Sequence, residues 1–411
     1  MKKIKEKLIS VKKAKKIMID SLKFLKNSSE FIDFNVTENR VLAENIYSKQ
    51  NIPKYDNSAV DGFAIKYSSF KKKVDFFKVV GESKPGKPFK KKLKEGQAIA
   101  IYTGSYILDI NNIDTVCYEE NCQLKNKKLN ILKKPIKGSN IRKKGEDVKK
   151  NQIVFKKGRK IRTVDLGQLA SLGIRKIKVF KKIKVGVFSS GNEVIKGFKN
   201  NQYSIYDANK TVLLALIRKI GCDAEDLGII KDNLKDTKNL ILKNLNKFDL
   251  IITSGGISKS KIDEIGNFFS LFGKISFWRL ALKPGRPFAF GTIKKTPFIG
   301  LPGNPVAAIV TFLMLVTDYL RKFSGINKFE TKGRIIPVNF NMKKKVGRTE
   351  WIRGYLKEKK SIQFVEKFET SGSGIISSIS QTDGIIEVEE NKGFIEKGSM
   401  LKFYKYEELL N

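Results

Sequence analysis

Histidine is absent from all 411 residues. That excludes a Ser-His-Asp triad, a histidine general base and any histidine-ligated metal. Acid–base or metal chemistry must then use carboxylates, lysines, hydroxyls or water. Cysteine is scarce: Cys117, Cys122 and Cys222 make an odd set without zinc-site spacing, which fits a reducing cytoplasm. No apolar stretch approaches the ~18 residues that a membrane span needs. The N-terminal stretch MKKIKEKLISVKKAKKIMID is basic but lacks the apolar region and cleavage site of a signal peptide. The expectation is a cytoplasmic protein with no membrane association.

Acidic residues are also few. The chain has 41 against 82 basic ones, a net charge of +41. Such an excess can mark a nucleic-acid binder. Only 12 of the basic residues are arginine, however, and the lysines are scattered along the whole chain. Ile, Asn and Phe are abundant too, and all four residue types have A/T-rich codons. A biased genome therefore accounts for the charge, and no specific nucleic-acid site is expected. A positive field still attracts a small anionic substrate.

The length accommodates two to four domains. Residues 1–50 read as helices, with Ser10 a candidate N-cap, and TVDLGQLASLG restores helical pattern near 163–173. Segments 1–53 and 135–180 are therefore read as one helical domain, interrupted by a β-rich insert at 54–134. Residues 181–325 alternate apolar strands with helices, the pattern of a doubly wound parallel sheet. Residues 326–411 return to strand signals and are read as a small β-barrel.

Ligands of doubly wound sheets bind at the carboxyl ends of the strands. Three such ends carry polar turns: SSGNEV, TSGGISKSKID and GLPGNP. In the last, Gly300 and Gly303 permit unusual backbone or close approach, Asn304 is a candidate N-cap, and Pro305 suits the first helical position. A helix start of this kind is an anion site. Glu193 and Asp263 supply carboxylates for a cation such as Mg²⁺. In LALKPGRPFAFG, a stiff Pro-Gly turn holds Lys283 and Arg286 three apart, which suits a doubly charged oxyanion.

The ordered blocks IPKYDNSAVDGFAI, IYTGS, NIRKKGED, GQLASLG, SSGNEV, YDANKTVLLALI, DLIITSGGIS, LKPGRP, GLPGNPV, RTEWIRG and SGSGIISS span nearly the whole chain. Together they resemble the molybdopterin molybdenumtransferase family, which includes MoeA and the E domain of gephyrin. The resemblance implies insertion of molybdate into adenylated molybdopterin with release of AMP, aided by Mg²⁺ or another divalent cation. It also implies an elongated homodimer of four-domain chains, with active sites shared between subunits, and contact with upstream enzymes of the pathway. By position, Lys283, Arg286 and Pro287 match the molybdate turn, joined by Arg353 and Ser373 from the last domain. Asp61, Glu193 and Asp263 match functional carboxylates. Ser190, Gly191, Gly255, Gly256, Ser258, Gly303 and Asn304 match the cradle for the pterin nucleotide.

Some positions depart from the family pattern. Asn192 stands where Asp is usual, Ser260 where Gly is usual, Ala307 where many relatives carry Ser, and Arg286 where Lys is frequent. Leu108 lies near a missing proline. These bear on affinity for the metal and the oxyanion, and tungstate stays open beside molybdate. Two alternatives follow from shared parts of the fold: a molybdopterin adenylyltransferase, and a scaffold that binds pterin without turnover.

Overall fold

A computed structural model describes residues 8–25, 28–72, 74, 76–197, 202–257, 264–327, 331–370 and 372–410. Ser258, Ser260 and Asp263 lie outside the described residues.

The centre is a six-stranded mixed sheet. Its order is Asp223–Ile230, Lys184–Ser190, Leu250–Ser254, Thr296–Leu301, Pro287–Ile293 and Gly273–Arg279. The first four strands run parallel and the last two antiparallel. Leu250–Ser254 is buried along its whole length, as a central parallel strand covered on both faces requires. On one face Val185, Val187, Ile252 and Ile299 pack against Leu213, Ile217, Phe312 and Tyr319 of helices Ala208–Ile220 and 305–323. On the other, Phe188, Ile251 and Phe298 pack against Ile241, Phe268 and Phe269 of Leu234–Asn244 and Glu264–Phe272. The doubly wound arrangement puts the three polar strand-end turns at one edge.

Helix Val11–Ser21 starts where expected: Ser10 Oγ accepts from Lys13 N at 3.3 Å. It buries Val11, Ala14 and Met18 in the core of the α/β sheet, and Lys15 pairs with Asp318 at 2.9 Å. It does not pack on helix Thr163–Ser171 in a helical domain of its own. The rest of the described N-terminal segment holds less helix than its pattern predicts. Ser29–Asp33 pairs with Lys176–Phe180, and Ile46–Tyr47 with Ile153–Phe155. SEFID has no period-two alternation, only the adjacent strand-prone pair Phe31 and Ile32, and it is the pairing with Lys176–Phe180 that makes it a strand. Leu42, Ile46, Phe155, Leu169, Ile177 and Val179 share one small core that draws on both segments.

The insert is a six-stranded sheet ordered Thr115–Tyr118, Gly62–Ile65, Gln97–Ile101, Phe77–Ser83, Lys128–Ile131 and Cys122–Lys125. At the C-terminus, Thr349–Lys359 pairs with Gly384–Val388 and Ile362–Lys367, while Met400–Lys405 joins Gly384–Val388 to Arg334–Pro337. A single bridge between Val338 and Val365 closes this ring, so it is a barrel joined narrowly on one side. The short strand Leu282–Lys283 extends the same sheet: Leu282 aligns with Thr349 and Lys283 with Glu350. The basic turn thus leaves the α/β domain as an edge strand of the C-terminal sheet, which fuses the two domains.

Candidate active site

A cleft of about 1290 Å³ opens along this seam. Its floor is the carboxyl edge of the parallel sheet. Ser190, Gly191 and Glu193 line it from one turn, Gly255 and Gly256 from the next, and Gly303 and Asn304 from the third. Lys283, Arg286 and Pro287 line it from the basic turn, and Arg353 and Ser373 from the C-terminal domain. Twelve residues far apart in sequence therefore share one wall-to-wall space. Asp61 does not line it.

Two glycines show why these turns need their sequence. Gly255 has φ +90°, and a Cβ there would meet the Ser190 carbonyl oxygen at 2.4 Å. The first and second turns can approach only with no side chain between them. Gly285 has φ +100°, and a Cβ would meet Thr311 Cγ2 at 2.2 Å. Thr311 belongs to the helix that begins at Pro305 of GLPGNP, so the basic turn is seated on that helix. Gly303, by contrast, has no positive φ, and its Cβ position lies 3.6 Å from Gly255 Cα. Its role is close approach rather than unusual backbone.

Asn304 departs from its expected part. It occupies the N-cap position, but its side chain makes no capping hydrogen bond. Its Nδ2 donates instead to Ser373 Oγ at 3.0 Å, and Val306 N donates to the Ser373 carbonyl at 3.1 Å. One first-turn amide expected for a ligand is thus spent on the C-terminal domain. Arg353 is 4 % exposed. Its Nε donates to Ser378 Oγ at 3.0 Å, and its Nη2 to the carbonyls of Thr370 and Gly372 at 3.2 and 3.1 Å. Burial pushes its guanidinium pKa below the ordinary value.

Lys283 and Arg286 are exposed on the cleft. Glu350 is nearly buried; its Oε1 takes Arg348 Nη2 at 2.7 Å and Nε at 2.9 Å, and its Oε2 lies 4.0 Å from Lys283 Nζ. Lys343, Lys344 and Lys345 add a cationic wall beside Arg348. Lys344 is buried and donates to the Arg348 carbonyl at 2.6 Å; burial pushes its pKa down. Sequence reasoning missed these lysines because scattered charge hid a local cluster. It also missed Glu350, whose only signal was its place inside RTEWIRG.

Among the acids, Glu193 is exposed on the rim. Ser190 Oγ donates to Asp232 at 2.6 Å, and Asp232 N donates to Asn192 Oδ1 at 3.1 Å. Asn192 thus supplies the acceptor oxygen that an aspartate would offer there. Asp232 and Asp207 also line the cleft, and neither was singled out from the sequence. Asp61 accepts from Thr103 N at 2.6 Å and Thr103 Oγ1 at 2.7 Å, which hold its carboxyl below the usual range.

A crevice of hydroxyls and backbone amides at a strand-end edge, walled by cationic side chains from a second domain, has the donors and charge of an anion-binding cleft. Three family models match in order: the MoeA N-terminal region (domain I and II) over residues 9–173, the probable molybdopterin binding domain over 186–322, and the MoeA C-terminal region (domain IV) over 336–406. A molybdopterin molybdenumtransferase of Haemophilus influenzae is 33% identical over 408 residues, 98% of this chain and 100% of that protein. Gephyrin of Dictyostelium discoideum is 27% identical over 95% of this chain and 61% of its own length. A crystal structure of the molybdopterin biosynthesis moeA protein from Pyrococcus horikoshii OT3 superposes with a TM-score of 0.84 at 27% identity, covering 97% of this chain and 100% of that one. The chain belongs to the molybdopterin molybdenumtransferase family, transferases of the final step of molybdenum cofactor biosynthesis. The match to N- and C-terminal regions, beyond the α/β domain alone, favours this activity over adenylyl transfer.

Proposed function

We propose that the cleft binds adenylated molybdopterin together with molybdate, and that Lys283, Arg286, Arg353 and Ser373 position the oxyanion. The observation that carries this is the pairing of Lys283 with Glu350 across two domains, which sets the basic turn on the same cleft as Arg353 and Ser373. Molybdate is a tetrahedral dianion, and charge-assisted hydrogen bonds from two or more cations suit it. The dithiolene sulfurs come from the substrate, so no protein nucleophile is needed. Ser190, Gly191, Gly255, Gly256, Gly303 and Asn304, with Ser258, cradle the nucleotide. Positioning and electrostatics therefore carry most of the rate enhancement.

The acids on the sheet edge of the cleft, Glu193, Asp207 and Asp232, offer only oxygen donors, which fits Mg²⁺, an ion that takes one or two carboxylates plus substrate phosphates. Among the described residues no three acids converge as a ready-made metal cluster. Glu193 would hold the ion with Asp263 and the substrate. When bound, it would neutralise the pyrophosphate bridge. We assign segments 1–53 with 135–180, 54–134, 181–325 and 326–411 as the four domains of a cytoplasmic homodimer, with helix Val11–Ser21 of the first docked on the α/β domain. In it, Asp61 of one subunit serves the cleft of the other, and upstream pathway enzymes are candidate partners. Among the described residues no helix is long and apolar enough to cross a membrane.

The test is AMP release from adenylated molybdopterin with Mg²⁺, with and without molybdate. Molybdate-dependent release is expected. ATP-dependent adenylation of free molybdopterin would identify an adenylyltransferase, and tight pterin binding without turnover a scaffold.

A further inference from the structure

Arg353 has three of its N–H bonds committed to protein before any ligand arrives. Its Nε is held by Ser378 Oγ at 3.0 Å, and Ser378 in turn donates to the Ile375 carbonyl at 2.6 Å. Ser378 is fully buried in the short helix Ser377–Ser380 and does not line the cleft. On its far side Arg353 Nη2 grips the carbonyls of Thr370 and Gly372. Ser373 follows directly. Its hydroxyl accepts from Asn304 and its carbonyl from Val306, both in the α/β domain. A continuous hydrogen-bonded path therefore runs from Ser378 through Arg353 to the seam where the two domains meet.

We propose that Ser378 is a positioning residue for the oxyanion site: it fixes the plane of the Arg353 guanidinium, and through it the backbone that carries Ser373. The physical reason is that a guanidinium is planar, so anchoring Nε sets the direction of both terminal nitrogens at once. A lysine could not transmit this. Without the Ser378 oxygen, a buried charged N–H loses its acceptor, and the side chain is driven to seek another. Rotation about the Cδ–Nε bond would release Thr370 and Gly372 and shift the Ser373 hydroxyl. Small displacements of positioning groups are costly to catalysis. The inference rests on the assignment of Arg353 and Ser373 to the oxyanion site.

The experiment compares Ser378→Ala, Ser378→Thr and Lys283→Ala in the full chain. AMP release is measured with molybdate and adenylated molybdopterin varied separately, and thermal melting is recorded alongside. Ser378→Ala is expected to raise the molybdate KM by about tenfold, the order that one lost charged hydrogen bond carries. The KM for adenylated molybdopterin should stay within twofold, and Ser378→Thr, which keeps the hydroxyl, should return most of the molybdate affinity. Direct titration of molybdate onto folded Ser378→Ala gives a second reading if threonine does not fit. A folded Ser378→Ala protein with unchanged molybdate KM overturns the proposal, as does an equal rise for both substrates. If Lys283→Ala raises the molybdate KM while Ser378→Ala does not, only the positioning role fails. If neither moves it, the oxyanion assignment fails as well.

Discussion

Glu350 Oε2 lies 4.0 Å from Lys283 Nζ, and the two residues are register partners on adjacent strands from different domains. The carboxylate is also bound by Arg348, so Lys283 holds a weak claim on it. This gives Lys283 a defined direction while leaving its charge available to a stronger anion. The side chain is 45% exposed, and such an ion pair contributes little to folding, of the order of 0–1 kcal/mol. Lys283→Ala should therefore melt near the wild-type temperature. Its loss should appear in molybdate binding, at about 1.5–3 kcal/mol for a charge-assisted contact. Unchanged molybdate affinity by titration would remove the turn from the site.

Asp165 supplies a stability prediction away from the cleft. It is 4% exposed and receives Arg159 Nη2 at 2.8 Å and Arg162 Nη2 at 2.9 Å. Burial by itself raises its pKa, but the hydrogen bonds from Arg159 and Arg162 outweigh that and hold the carboxyl well below the usual range. A depressed folded pKa contributes stability above the unfolded value, about 3.9, and that stability is lost as pH falls through the folded value. Asp165→Asn should cost roughly 2 kcal/mol at neutral pH, less than for a fully buried pair because Arg162 is 65% exposed. Urea unfolding at pH 7 and near pH 3 should show the gap shrinking in acid. A gap that widens in acid would reverse the assignment.

The three thiols should differ in reactivity. Burial pushes the Cys222 thiol up to about 11. Cys117 is buried, and its contact with Cys122 and its burial both raise it; the same contact lowers Cys122, which is only partly covered. Native protein at pH 7.5 should react first at Cys122, with Cys117 and Cys222 labelled only on unfolding. Mass spectrometry of partially alkylated protein identifies the order, and early labelling of Cys222 would contradict the packing.

Asp61 stands outside the cleft lining of its own chain. If a partner subunit supplies it, Asp61→Ala and Lys283→Ala should each be nearly inactive, yet complement. A mixed dimer has one site with both lesions and one intact. With equal mixing and free exchange, about half the dimers are mixed, and activity should recover to roughly a quarter of wild type. The measurement is AMP release after co-refolding differently tagged variants. Mixed dimers without recovered activity would place both residues in the service of one chain's site.

The excess lysine should give only sequence-blind affinity for duplex DNA, falling steeply with salt. Fluorescence anisotropy on unrelated duplexes between low and physiological salt reads this directly, and a clear sequence preference would call for a dedicated surface.

Much of this molecule is local. The parallel strands, the helix start at Ser10 and the strand-end turns follow from apolar period, capping residues and Gly/Pro placement, because backbone preference acts over a few residues. The absence of histidine likewise bounded the chemistry before any fold was known. Other features depend on who becomes a neighbour. SEFID reads weakly until Lys176–Phe180 lies beside it, and Val11–Ser21 chose the α/β core because its apolar face found Tyr319 and Leu320 there. Nothing local states that Asn304 donates to Ser373 instead of capping its helix, or that Ser378 holds Arg353. Those bonds join groups 69 and 25 residues apart, and which donor meets which acceptor is settled only once the C-terminal domain has folded and met the α/β domain.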